Sequence, residues 1–236
     1  GINVLSITGN KFVDYCDCLL DVKFFKKNQN LIIEVKNFLL NLKNIDLIMF
    51  DKIKEDSNLL FLFDVNFFKT KNFFSYQLVS NNDTIIKKFL SDTNRQMKRL
   101  DSRGKFSFNL ALTKKEKEQV FDFFLINKQK QLKISNNWNY LSNVIYKDFL
   151  KKLFIANDSH LSFLSLDNKI IAAHLGFIYK HTFMYLFPVY DKEFSNFSPG
   201  NVLLLKLINS FFQKGGKEID FTIGDEAYKK KLSNKK

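Results

Sequence analysis

Two hydrophobic periods alternate along the chain. Between Leu31 and Leu42 the apolar residues fall at Leu31, Val35, Phe38, Leu39 and Leu42, which is the spacing of one helix face. The same period is clearest over Thr84–Arg103, where Ile86, Phe89, Leu90, Met97 and Leu100 form a stripe and Lys87, Arg95, Lys98 and Arg99 lie off it. Lys114–Lys133 and Leu141–Phe154 read as two further helices, and Leu59–Phe68 as another. Trp138 lies in the asparagine-rich join as an expected core anchor. Short apolar runs at Ile2–Ile7, Ile45–Phe50, Phe73–Val79 and Lys105–Leu112 predict strands. From His160 the period falls to two. Leu161–Leu166, a turn at Asp167-Asn168, Ile170–Tyr179 and Thr182–Val189 predict an antiparallel meander. On its middle strand Ile171, Ala173, Leu175 and Phe177 are expected to share one face. Ala172, His174 and Gly176 are expected on the other, where small side chains around an imidazole leave room for a ligand. A satisfied structural histidine is the bland alternative.

After the meander, Tyr185–Tyr228 reads as strand, loop, helix, strand and short helix. Both prolines of the chain, Pro188 and Pro199, bracket the loop. Ser198 is a favoured N-cap and Pro199 suits the first helical position, where its missing N–H costs nothing. Val202–Ile208 supplies an apolar run broken only by Lys206, and Gly215 or Gly216 is expected to end the helix in a left-handed conformation. With no acidic side chain in the first turn, the free N–H groups are suited to an anion. An ordinary capped helix is the alternative.

Charge and chemistry narrow the picture. The net charge of +13 is concentrated on Lys87–Lys105 and on a tail where Lys229, Lys230, Lys231, Lys235 and Lys236 have no acidic neighbour after Glu226. Such a field attracts polyanions: nucleic acid, anionic lipid headgroups or a nucleotide cofactor. No zinc-finger or RRM signature is present, so DNA is not an expected partner, while tRNA and a peripheral contact with anionic membrane stay open. No apolar run is long enough to span a bilayer. Cys16 and Cys18 are one residue apart, too close for an ordinary disulfide and too few for a zinc site; reduced thiols and a cytoplasmic location are expected, with no metal. The chain opens at Gly1 on what reads as a strand, so a fragment lacking its first strands is expected.

Four ordered segments carry a resemblance: IIAAHLGF (170–177), LFPVYD (186–191), SPGNVLLLKL (198–207) and KEIDFTIGDEAYKKKL (217–232). Together they resemble the C-terminal half of the cellulose-biosynthesis (CelD-type) branch of the GNAT acyltransferase superfamily. DYCDCLL (14–20) and the basic helix ending RQMKRLDSRGKFSF (95–108) fit more thinly. The loose repetition of element order, with DYCDCLL standing where SPGNVLL stands later, also resembles the duplicated GNAT-like halves of Fem-type transferases.

The resemblance implies an α/β, GNAT-like fold: a mixed, largely antiparallel sheet flanked by helices. Residues 1–80 would be the remnant of an N-terminally incomplete first half, and 81–236 a second half carrying the site. It implies acetyl-CoA or another acyl-CoA as co-substrate, its pantetheine arm between splayed strands Thr182–Val189 and Lys217–Ile223. Ser198, Pro199, Gly200, Asn201 and Val202 would hold the phosphates, with the backbone N–H groups of the last three as donors. Asp220, Asp225 and Glu226 are candidate catalytic carboxylates, and Tyr228 is the candidate acid that protonates the leaving thiolate. His174 would contact the acceptor. Capping of the last helix is the alternative role for Asp225, and Lys229 would orient an acid, hold a phosphate or be plain surface charge. The expected reaction is acyl transfer to an amino or hydroxyl group, on a small-molecule or glycan acceptor such as a sugar or cell-envelope intermediate. The alternatives are Fem-like aminoacyl transfer from charged tRNA and an inactive GNAT fold that binds an anionic partner.

Overall fold

The computed structural model describes residues 1–7, 13–63, 72–79, 83–136, 139–155 and 158–236; Trp138 and the 64–68 end of the expected Leu59–Phe68 helix lie outside them. The described chain separates into two units, Gly1–Phe73 and Phe74–Lys236.

In the first unit β1 (Val4–Ser6) pairs in parallel with β2 (Leu47–Met49). The helices α1 (Val22–Lys27), α2 (Gln29–Leu40) and α3 (Asn58–Phe63) complete it. Leu59, Leu62 and Phe63 form its small core with Ile7, Leu20, Ile32 and Phe50 packed around them. The periodicity gave no sign of α1, which is six residues long and capped by the Asp21 side chain. DYCDCLL does not repeat the later helix start. Residues 14–20 form no helix, and the Asp17 carboxylate accepts from Ser57 Oγ (2.7 Å) and Leu59 N–H (3.1 Å) at the start of α3. Cys16 and Cys18 are both free thiols.

The second unit is built on a six-stranded sheet of order β3-β8-β7-β6-β5-β4. Its strands are β3 (Ser75–Val79), β4 (Phe106–Leu110), β5 (Ser159–Leu166), β6 (Lys169–Tyr179), β7 (Thr182–Tyr190) and β8 (Glu218–Ile223). All neighbours are antiparallel except β7 and β8. This is the mixed, largely antiparallel α/β sheet flanked by helices that was expected. β3, assigned from the sequence to the first half, pairs with β8 and belongs here.

One face carries α4 (Asp83–Asp101), α7 (Pro199–Gln213) and α8 (Ala227–Leu232); the other carries α5 (Lys114–Ile134) and α6 (Val144–Ile155). α7 is apolar almost all round and sits deep in the core of its layer. Val202, Leu203, Leu204, Leu205, Leu207 and Ile208 are all buried, each contributing roughly 1.5–3 kcal/mol of burial. It ends as expected. Gly215, at φ +84°, donates to Phe212 C=O and Gly216 donates to Phe211 C=O, a Schellman pair that hands the chain to β8.

The alternation on β6 is not the one the period implied. Between Leu164–Ala172 and Ser165–Ile170 the register jumps by one residue. Ile171 therefore joins Ala172 in the α7-side core, while Ala173, Leu175 and Phe177 face α5 and α6.

Candidate active site

β7 and β8 are paired at Thr182–Glu218, Phe183–Ile219 and Met184–Asp220. Both strands continue further, β7 to Tyr190 and β8 to Ile223, without pairing to each other. They part because each carries a bulge immediately past the last pair. On β7, Tyr185 and Leu186 together oppose Gly176 of β6, since the register runs Leu175–Phe187 and then Phe177–Met184. On β8, Phe221 and Thr222 together oppose Tyr76 of β3, between Gln77–Asp220 and Ser75–Ile223. A bulge bends its strand and raises the local twist. Pro188, which cannot donate to a ladder, pairs with His174 of β6 in the part of β7 that β8 does not pair, and is the sequence signal of the parting.

The β8 bulge is strained. Thr222 has φ +62°, a region that a β-branched residue rarely enters and that costs of order 1–3 kcal/mol. Its N–H donates to Asp220 Oδ1 at 2.7 Å, which holds the kink. Asp220 is buried, so it acts here as an internal acceptor next to the gap.

The helix that joins the two strands starts at the parted end of β7. Asp191 caps a 3-10 turn over Lys192–Phe197, accepting from Glu193 N–H, and also pairs with Lys169 at 3.3 Å. Ser198 closes that turn in a left-handed conformation (φ 47°, ψ 50°), and its hydroxyl makes no cap bond to α7. Its carbonyl caps instead, accepting from Asn201 N–H (2.9 Å) and Val202 N–H (3.2 Å). Two of the three amides expected to be free are thus engaged. Among the described residues the Gly200 N–H alone is left at this terminus, since Pro199 has none. Gly200 also has space, for a Cβ there would meet only the Tyr190 ring, at 3.6 Å.

At the parting, Tyr185 of β7, Phe221 of β8 and Tyr228 of α8 meet edge to face. Tyr228 lies 6.3 Å from Tyr185 and 6.2 Å from Phe221, ring centroid to centroid. Burial, with the Glu226 charge adding to it, raises the Tyr228 pKa, so the phenol keeps its proton at neutral pH. The Tyr185 pKa is likewise raised, chiefly by burial.

The carboxylates are arranged less favourably than expected. Asp225 is exposed and bound to Lys230 (3.2 Å), with Tyr76 O–H donating at 3.3 Å; the Lys230 contact lowers its pKa, which weakens it as a base. It does not cap α8. Glu226 occupies the N-cap position, without a side-chain cap bond, and pairs with Lys229 at 3.1 Å. Lys229 is buried, not surface charge; its Nζ donates to Ile223 C=O at 2.8 Å and locks the end of β8 to α8. Gly224 has φ +144°, which an L side chain rarely adopts and which explains the glycine. Most of the basic tail is likewise partnered, Lys231 with Asp92 (2.6 Å) and Lys235 with Glu218 (3.6 Å), while Lys236 lies over the Phe74 ring. Asp92 is distant in sequence, whereas Asp225 and Glu226, the partners of Lys230 and Lys229, stand directly before α8 and were already offered by the local sequence.

His174 is not open to an acceptor. It is completely buried, stacked on Tyr185 (centroids 4.2 Å, planes 6° apart) with Phe183 at its edge. Its Nε2 accepts from Leu186 N–H at 3.2 Å, and burial holds its pKa well below the usual histidine value. The small Gly176 beside it is filled space, because a Cβ there would strike the His174 ring and Met184 C=O.

Sequence reasoning missed Lys128 on α5. Burial lowers its pKa and the charges of Glu226 and Lys229 act on it, so it belongs to the same electrostatic environment as the start of α8. Two open concavities, of about 480 and 590 Å³, lie along α5 and contain none of the expected site residues. The parted strands, with their bulges and helix start, are the better-defined feature. No three metal-ligating side chains converge among the described residues, and no helix there is long and apolar enough to cross a membrane.

Sheet order, the single parallel pair and the helix linking its strands define a GNAT-like fold. A family model described as "Acetyltransferase (GNAT) domain" matches residues 87–230, more than half of the chain, and the chain belongs to that family. Among solved structures it is similar to FemX, at 13% identity and TM-score 0.60 over 94% of this chain and 78% of that one. It is also similar to the C-terminal domain (DUF2156) of a candidate lysylphosphatidylglycerol synthetase from Agrobacterium fabrum, at 12% identity and TM-score 0.62, covering 92% and 72% of the two chains. A third similar structure is a conserved protein of unknown function from Bacteroides thetaiotaomicron VPI-5482, at 16% identity and TM-score 0.51. The match covers 74% of this chain and spans 60% of that one. At these identities the likeness is one of fold. The curated proteins contain no match.

Proposed function

We propose that the chain transfers an acyl group from an acyl-CoA to an amino or hydroxyl acceptor at the β7–β8 parting. The observation that carries this reading is the pair of bulges directly beyond Met184–Asp220, which leaves strand edges open for an extended arm to lie between. The residues present fit such a donor. The Gly200 N–H, at the positive end of α7 with no acidic residue in the first turn, would hold a phosphate group of such a donor; backbone N–H groups at the parting are suited to a developing oxyanion. Bound acyl-CoA supplies the activated thioester. The chain's own part is to orient it, exclude water and supply a proton. Tyr228 retains its proton and stands against Tyr185 and Phe221, the bulge residues next to the last β7–β8 pair, which suits it to protonate the departing sulfur. Glu226, exposed and paired with Lys229, is the remaining carboxylate suited to draw a proton from the acceptor.

The acceptor we expect is a sugar or cell-envelope glycan intermediate, a choice supported by the four CelD-like segments, and we expect the reaction in the cytoplasm. Titration of the purified chain with acetyl-CoA by calorimetry tests the donor. Free thiol released in the presence of an amino-sugar panel tests the reaction. No heat of binding with acetyl-, propionyl- or palmitoyl-CoA at millimolar concentration would overturn it.

Fem-like transfer from charged tRNA is the second reading. It is favoured by the FemX likeness, which covers 94% of the chain and so spans both units, and by the net charge of +13. Saturable binding of charged tRNA with no acyl-CoA binding would select it.

A further inference from the structure

Three of the four buried side-chain polar atoms without a hydrogen bond among the described residues lie together: His160 Nδ1, Ser162 Oγ and His174 Nδ1. They are neighbours by register. Ser162 stands opposite His174, and His160 stands opposite Gly176 two positions along the same face. Phe183 confirms the shared face, since its ring lies 4.8 Å from His160 and 5.2 Å from His174. Ser162 and His174 are fully buried. Buried polar atoms are rarely left unsatisfied, and a row of them on adjacent strands requires either a mutual bond or an enclosed water.

The other end of His174 specifies the chemistry. Nε2 accepts the Leu186 N–H, so it carries no proton, and a neutral imidazole then bears its hydrogen on Nδ1. Nδ1 is also the His174 atom left without a partner among the described residues. Leu186 is one of the two residues of the β7 bulge, and Gly176 opposite leaves the space the ring and the Met184 carbonyl occupy. We propose that His174 is a positioning residue: as the Nδ1–H tautomer it clamps the β7 bulge through Leu186, and one enclosed water joins its Nδ1–H to Ser162 Oγ and His160 Nδ1. The clamp acts through the backbone. It holds β7 turned away from β8 at the point where the strands part, without touching donor or acceptor. The titratable groups that face it are His160 from β5 and Tyr185 from β7. Tyr228 lies behind Tyr185, and Lys117 and Lys214 act on His160. Desolvation keeps both imidazoles neutral, which the water bridge needs.

This inference uses the parting described above but not its proposed use, and the test separates the two. Long-range ¹H–¹⁵N spectra of the histidine-labelled chain at pH 7 should show His174 neutral with its proton on Nδ1. A proton on Nε2, or an imidazolium, overturns the clamp. Leu186 amide exchange should be slow in the wild type and in His174→Gln, whose amide oxygen can accept the same bond. It should be roughly tenfold faster in His174→Leu, the factor expected for one lost hydrogen bond. Equal exchange in all three refutes the proposal, and should His174→Leu not fold, the wild-type spectrum and His174→Gln still decide it. Acyl-CoA affinity should follow the same order, with His174→Gln close to wild type. Slow exchange with the Nδ1–H tautomer but no acyl-CoA binding would uphold the clamp and reject the acyltransferase reading.

Discussion

Met184 and Asp220 form the last rung between two parallel strands, and the next residue on each strand begins a bulge. A parallel pair at the centre of a sheet is normally buried and continuous. Here it is broken from both sides at one level, once by an extra residue against β6 and once against β3. The cost is visible at Thr222, held at positive φ by Asp220, and observed strain of this kind points to function. The parting is therefore built into the strands and does not need a ligand to create it.

The Gly200 N–H is the open amide at the start of α7, so charge at this position decides anion binding. Gly200→Asp should fold normally, because its Cβ has room, and a carboxylate in the first turn is favourable by roughly 0.3–1 kcal/mol. It should nevertheless lose the thermal shift that acetyl-CoA gives the wild type. A retained shift would move the phosphates elsewhere.

Tyr228→Phe removes one oxygen and keeps the ring that packs on Tyr185 and Phe221. Turnover should fall roughly 10²–10⁴-fold, the usual contribution of a general acid, with acyl-CoA affinity unchanged. Steady-state kinetics beside calorimetric titration measures both, and undiminished turnover removes Tyr228 from the chemistry.

Asp220→Ala deletes the acceptor that holds Thr222, whereas Asp220→Asn keeps an oxygen there. Urea unfolding should show a loss of about 1–3 kcal/mol for Asp220→Ala and clearly less for Asp220→Asn. If Asp220→Asn instead keeps stability but abolishes turnover, Asp220 has a chemical role as well.

His160 is held to a pKa of about 4, chiefly by burial, against an ordinary value of 6.5. Between those values the unfolded chain takes up a proton that the folded chain refuses. Stability is therefore full above pH 6.5 and falls as the pH drops toward 4, by up to about 3 kcal/mol for this group. Urea midpoints over that range should slope less in His160→Gln, and parallel slopes would show that His160 is accessible to protons in the folded state.

Much of the fold was legible. The stripe at Ile86, Phe89, Leu90 and Met97 is α4, the period-two run from His160 is the meander, and Pro199 and Gly215 bound α7 as local rules require. The strand–helix–strand order of β7, α7 and β8 was legible, whereas their parallel pairing is a finding of the structure. Less of the site was legible. His174 looked like a ligand contact because small neighbours suggest room, but Tyr185 and Phe183 fill it from the next strand. Ser198 looked like a side-chain cap, but the 3-10 turn before it sets its backbone left-handed.

Hydrophobic period, proline and glycine act over a few residues, and the sequence by itself determined where they act: the elements, their order and the two ends of α7. Register, bulges and distant ion pairs depend on residues brought together from far apart. Only the tertiary structure decided that β7 and β8 stop pairing at Met184–Asp220, that Lys231 meets Asp92, and that His174 turns its Nε2 to Leu186. The physical reason is that a one-residue slip between strands changes little in local preference yet redirects every side chain beyond it.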